Sequence, residues 1–187
     1  SKEGKNLTVV SAFGAFEKYF SMLQEYANDT KDALGNVPMY FGSEITSVGR
    51  LMMIGEQNPV AAKIIREFLL PTKATVDMND PVNEHNYYLM MAQALGKKLD
   101  KMTPEQAVQQ AKDTLFSEDM GNLLETLETL MGDGEVTVEA MNVLQDNIKS
   151  PFMLHALTDF IRYNQAKAEG NLQRFTTSLY LEADGRT

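Results

Sequence analysis

The chain contains no cysteine. That excludes disulfides, thiolate zinc sites and thiol nucleophiles. It has no tryptophan and only two histidines, His85 and His155. These lie far apart, outside any ligand-spaced motif, and read as satisfied structural residues. No Ser-His-Asp set surrounds a nucleophile elbow, so hydrolase chemistry has little support. No run approaches 18 consecutive apolar residues, the length a membrane-spanning helix needs. Ser1 to Asn6 is not backed by an apolar stretch and does not read as a secretory signal. Basic residues are scarce as well. Seventeen Lys and Arg against 26 Asp and Glu leave a net charge of −9. Taken alone, that balance argues against a general nucleic-acid-binding surface, because phosphate contacts need cations.

What is present suits a folded piece of ordinary composition. A chain of 187 residues with 43% apolar content can form one domain with a core, or part of a larger one. Twelve methionines are many for this length; spaced along faces that also carry Leu and Phe, they read mainly as core fillers. Val9, Phe13, Phe16, Phe20, Leu23 and Ala27 recur at helical spacing and predict a helix to about Asn28. Residues 37–55 predict a β-hairpin, with Pro38 to Phe41 and Arg50 to Ile54 as arms. Helix starts follow at Asn58-Pro59, Asp80-Pro81, Thr103-Pro104 with Gln106 completing a capping box, Glu118, Thr137 and Pro151. The last helix runs to about Ala168, and a final strand is expected from Arg174. The expected class is α+β, mainly helical, with two short β segments framing a helical insertion. Four segments divide it: a helical lead-in over 1–36, the hairpin over 37–56, a helical region over 57–172 and a terminal strand over 173–187.

Two stretches carry candidate chemistry. The first is Thr46-Ser47-Val48-Gly49-Arg50. A glycine followed by arginine at a strand start can bring a planar guanidinium to a phosphate or a base edge. The second is Leu179-Tyr180-Leu181-Glu182-Ala183-Asp184-Gly185. Magnesium takes hard oxygen ligands, commonly one or two carboxylates completed by water and phosphate. A strand tip ending in Asp184-Gly185 can hold such a ligand, and Gly185 leaves room for close approach. Strand parity places Glu182 on the same face as Asp184. The plainer alternatives are a surface turn with a solvated Arg50 and a hairpin turn at Asp184-Gly185. Asp133-Gly134 mimics a calcium loop, but Met131 and Ala140 would occupy ligand positions, which excludes that reading.

Taken in order, these stretches resemble the single-subunit RNA polymerases of phages and mitochondria. Thr46 to Arg50 is similar to the T/DxxGR motif in its threonine form, and Asn58-Pro59 resembles a pair at the same offset in phage members. Leu179 to Gly185 resembles motif A, and Pro151 to Tyr163 the helix leading into it. The separation of Arg50 from Asp184 is long and looks like that of the divergent branch carried in phage virions. The resemblance covers residues 37–187. It implies the palm region of a right-hand polymerase, a DNA-directed nucleotidyltransferase located in the virion and then in the host bacterial cytoplasm. It implies that Asp184 is catalytic and binds Mg2+ with help from the Gly185 carbonyl. It implies that Arg50, with Thr46 and Gly49, contacts template or hybrid, and that Arg66 adds a second cationic contact. DNA template, nascent RNA, nucleoside triphosphates and the rest of the polymerase, carrying motifs B and C, would be the partners. Those motifs are missing here, so this piece alone is expected to be inactive. The alternative is a non-catalytic acidic helical scaffold or binding module, favoured by charge and by the missing motifs.

Overall fold

A computed structural model describes residues 17–18, 20–31, 40, 42–54, 70–132 and 135–181. The chain divides into two compact units, Ser1–Leu69 and Leu70–Thr187.

In the first unit, residues 20–30 form a helix, α1. The hairpin consists of β1 (Ser43–Ile45) and β2 (Leu51–Met53), paired antiparallel with Ile45 opposite Leu51. Of the arm read at Pro38 to Phe41, all but Tyr40 lies outside the described residues. The register follows from the turn between the strands, described below. Ile45, Leu51, Met52 and Met53 are all exposed.

The second unit starts with β3 (Ala74–Val76), which precedes the helix start read at Asp80-Pro81. Five helices follow: α2 (Pro81–Ala94), α3 (Pro104–Leu115), α4 (Glu118–Met131), α5 (Val138–Asn147) and α6 (Pro151–Ala168). β4 (Phe175–Thr177) then returns antiparallel to β3, with Val76 opposite Phe175 and Ala74 opposite Thr177. Each helix starts where its cap residue dictates. Asp80 accepts from the Val82 amide at 2.9 Å, and Thr103 and Gln106 complete a reciprocal capping box. Ser117, Thr137 and Ser150 cap α4, α5 and α6 in the same manner. These contacts satisfy amides that have no partner inside the helix. At the far end of α6, Gly170 takes φ +68° and the Asn171 amide reaches back to the Ala166 carbonyl at 2.8 Å. A residue without Cβ adopts that left-handed geometry without strain, and the chain turns back towards β4.

The core lies where α6 meets α2, α4 and β4. Leu157 and Ala156 of α6 and Met91 and Ala92 of α2 are fully buried. An aromatic cluster joins three elements. Tyr163 lies 5.2 Å from Tyr87, centroid to centroid, and 5.8 Å from Phe175, with Phe160 at 6.0 Å on its own helix. Ring pairs at such separations add to the stabilisation from area burial alone. The methionines divide: Met78, Met91, Met120 and Met153 are core, whereas Met52, Met53, Met131 and Met141 are exposed.

Among the described residues, the terminal strand covers only Phe175–Thr177, and residues 178–181 form no strand. The ladder stops at Thr177, opposite Ala74. The Leu179 amide instead donates to the Thr177 hydroxyl at 3.0 Å.

Replacing Leu157 by Ala should destabilise the second unit by about 2–5 kcal/mol through lost burial and a residual cavity. Denaturant unfolding of the chain checks this; a midpoint within error of wild type would contradict the assigned core.

Candidate nucleic-acid and metal site

The Thr46 to Arg50 stretch forms the turn of the β1–β2 hairpin. The Gly49 amide donates to the Thr46 carbonyl at 2.9 Å, and the Thr46 amide donates to the Arg50 carbonyl at 2.8 Å. The Arg50 amide donates to the Thr46 hydroxyl at 3.2 Å. Gly49 has φ +75°, with open space where a Cβ would stand. This is a three-residue hairpin loop with a glycine in the left-handed region at its last position. The motif's residue types thus have local reasons. Thr46 supplies both a carbonyl and a hydroxyl to close the turn, and Gly49 supplies the backbone angle. Arg50 is then the first residue out of the turn, and it is exposed. An arginine held at the base of a rigid turn can present its guanidinium fork to a phosphate or carboxylate.

Arg66, Glu182, Asp184 and Gly185 lie outside the described residues, as do Asn58-Pro59 and Asp133-Gly134. Among the described residues, no group of three or more His, Asp or Glu side chains is placed to hold a metal ion. The structure therefore brings Thr46, Gly49 and Arg50 together.

Sequence reasoning overlooked a polar row on α6, directly upstream of the motif-A-like segment. His155, Asp159 and Arg162 follow one another at steps of four and three, which aligns them on one helix face. That face meets β4. Asp159 is 1% exposed, yet both of its oxygens are engaged. The Thr177 hydroxyl donates to Oδ2 at 2.8 Å, and Arg162 Nη1 donates to Oδ1 at 3.1 Å. Arg162 Nη2 also reaches the Thr176 carbonyl and hydroxyl at 3.1 and 3.0 Å. Burial holds the Asp159 carboxyl above its ordinary range, with the Thr177 hydrogen bond and the Arg162 charge offsetting this only in part. The Tyr87 hydroxyl is buried beside Asp159, and burial, followed by the nearby Asp159 charge, raises its pKa well above normal. The legible signal was a carboxylate at 159 set among the apolar positions 156, 157, 160 and 161 of a helix, with a cation three residues on.

His155 is not the satisfied residue that its isolation suggested, since its Nε2 is buried without a partner. Burial, then the Arg162 and Lys73 charges, depress its pKa below 6.5. A depressed histidine contributes stability that is present above its unfolded pKa and is lost as pH falls through the lower folded value. Thermal unfolding of the chain should therefore lose stability below about pH 6.5, and His155→Gln should flatten that slope. Parallel pH profiles for the two chains would contradict it.

Comparison with known proteins bears on both stretches. Residues 1–69 match a family described as a virion DNA-directed RNA polymerase domain. Residues 84–164 match a second, described as the plug insertion of virion DNA-directed RNA polymerase. The whole chain is 34% identical over 195 aligned residues to the virion DNA-directed RNA polymerase of Enterobacteria phage N4. It spans 5% of that protein's length. Hairpin, helical insertion and returning strand thus fall within one continuous match, and the chain belongs to the virion DNA-directed RNA polymerase family of phages.

Proposed function

We propose that this chain is the part of a phage virion RNA polymerase that carries a template-contacting hairpin, the plug insertion and the first metal-binding aspartate. What carries the reading is the order of its parts. The TxxGR turn precedes the stretch matched to the plug insertion, and the motif-A-like segment follows it. The long separation of Arg50 from Asp184 is thereby accounted for as an insertion. The pairing of β3 with β4 supports this, because the chain leaves for the helical region and returns through adjacent antiparallel strands. An insertion on such a neck leaves the flanking framework connected much as it would be without it.

Each residue has a defined task in this reading. Asp184 and the Gly185 carbonyl would offer two oxygens to Mg2+, and a second aspartate elsewhere in the polymerase would complete the protein donors. When bound, the metal supplies charge neutralisation for attacking and leaving oxygens in nucleotidyl transfer. Arg50, stiffened by the Thr46–Gly49 turn, holds template or hybrid phosphate near the reacting end, and Arg66 adds a second cation. The acidic character of the chain restricts nucleic-acid contact to such local cations, with the wider basic channel contributed by the rest of the enzyme. DNA template, nascent RNA and nucleoside triphosphates are the partners, acting in the virion-delivered enzyme once it reaches the host cytoplasm.

In the complete polymerase, Asp184→Asn should abolish RNA synthesis while leaving template binding intact; template-dependent incorporation and a binding assay check it together. Synthesis near the wild-type rate would remove Asp184 from catalysis. Arg50→Ala should weaken template or hybrid binding severalfold and flatten its dependence on salt, in keeping with one lost phosphate contact. Unchanged abortive and full-length yields would assign Arg50 to solvent.

A further inference from the structure

The β1–β2 hairpin has two faces of different character, and its hydrogen bonds fix which residues lie on each. The Thr46 amide donates to the Arg50 carbonyl at 2.8 Å, and the Ile54 amide donates to the Gly42 carbonyl at 2.9 Å. With Glu44 opposite Met52 between them, these are the hydrogen-bonded rungs of the ladder. Ile45 opposite Leu51 and Ser43 opposite Met53 are then the intervening rungs, where facing side chains lie closest. Side chains alternate along a strand. Glu44, Thr46, Arg50, Met52 and Ile54 therefore share one face, and Ser43, Ile45, Leu51 and Met53 share the other. The Arg50 face is mixed, and Ile54 at its end has a local partner: its side chain lies over Gly42, where an added Cβ would stand 3.0 Å from it. The opposite face carries no charge. Ile45 and Leu51, paired at its centre, are 75% and 71% exposed.

We propose that the Ile45–Leu51 face docks on an apolar protein surface of the same polymerase, outside this chain, and that this contact turns Arg50 towards nucleic acid. The proposal rests on the reading of Arg50 given above. Three observations support the occupant. First, the chain spans 5% of the length of the phage N4 polymerase it matches, so most of an enzyme of that size lies beyond it. Second, a two-stranded hairpin is marginal by itself and gains stability from further strands or a packed face. An arginine carried on it is held firmly once the apolar face is covered. Third, that face lacks what nucleic acid requires: it offers no cation for phosphate and no aromatic ring for a base. A patch of this kind is suited to protein contact. Ile45 and Leu51 are positioning residues in this arrangement. They touch neither template nor transcript, and they act by fixing the direction in which the Arg50 face looks. Strand alternation supplies the link, since burying one face of the hairpin presents the other.

The test uses the complete polymerase. Leu51→Cys and Met52→Cys place a thiol on opposite faces, and alkylation of the peptide carrying it is followed with and without template. L51C should react severalfold more slowly than M52C in the free enzyme, and template should slow only M52C. Rapid reaction of L51C in the free polymerase overturns the proposal. So does protection of L51C that appears only with template, which gives the face to nucleic acid, or only at raised enzyme concentration, which gives it to a second copy. Protection already present in the isolated 187-residue chain gives the face to the chain itself and overturns the proposal as well. A second arm measures template affinity against salt. Leu51→Ser should weaken binding severalfold and flatten the salt dependence as Arg50→Ala does. Leu51→Ile should restore both, and R50A/L51S should be no worse than R50A, since both act through one contact. An L51S enzyme with the wild-type salt dependence removes the positioning role. If R50A itself binds template as wild type does, the reading of Arg50 fails instead, while the protection of L51C still reports the docked face.

Discussion

A carboxylate removed from water has to be paired or hydrogen-bonded, and Asp159 sits where two elements do that for it. Its oxygens take a hydroxyl from β4 and a guanidinium from its own helix, while the aromatic cluster of Tyr87, Tyr163 and Phe175 closes over the same junction. Losing one partner would leave a buried charge uncompensated, which costs more than an ordinary hydrogen bond. The junction therefore has little freedom to rearrange. The β3–β4 neck is only three residues long on each side, and an isolated two-stranded pair of that kind is marginally stable by itself. The polar row on α6 supplies what the short ladder lacks.

The two candidate stretches are built on opposite principles. The Thr46 to Arg50 turn is a local object: its hydrogen bonds link residues within five positions of each other, and its glycine angle answers to the backbone alone. The start of the motif-A-like stretch is a non-local object: Tyr180 packs on Phe152, in a helix that ends before β4 starts. A phosphate-contacting arginine needs a stiff base and an exposed side chain, and the local turn suits that proposed task.

How much was legible follows the same division. Helix starts at Asp80-Pro81, Thr103-Pro104, Thr137 and Pro151 were visible because capping is decided by neighbours in the chain. The hairpin turn was visible for the same reason. β3 was not, since Ala74-Thr75-Val76 has almost no pattern of its own and is a strand only because β4 lies beside it. The family was legible from short motifs in order, although each is weak alone. The Asp159 row was missed because a single polar residue within an apolar helix face looks like noise until its partner is known.

Sequence alone determined the caps, the TxxGR turn, the mainly helical α+β class and the membership of a polymerase family, all of which depend on local chemistry or on motif order. Tertiary structure decided where the terminal strand stops, why Leu179 is buried without a ladder and which side chains hold β4. Those outcomes depend on contacts between residues far apart in the chain, such as Glu84 with Tyr163 and Asp159 with Thr177. Such contacts form only when helices pack, and no periodicity along one segment encodes them.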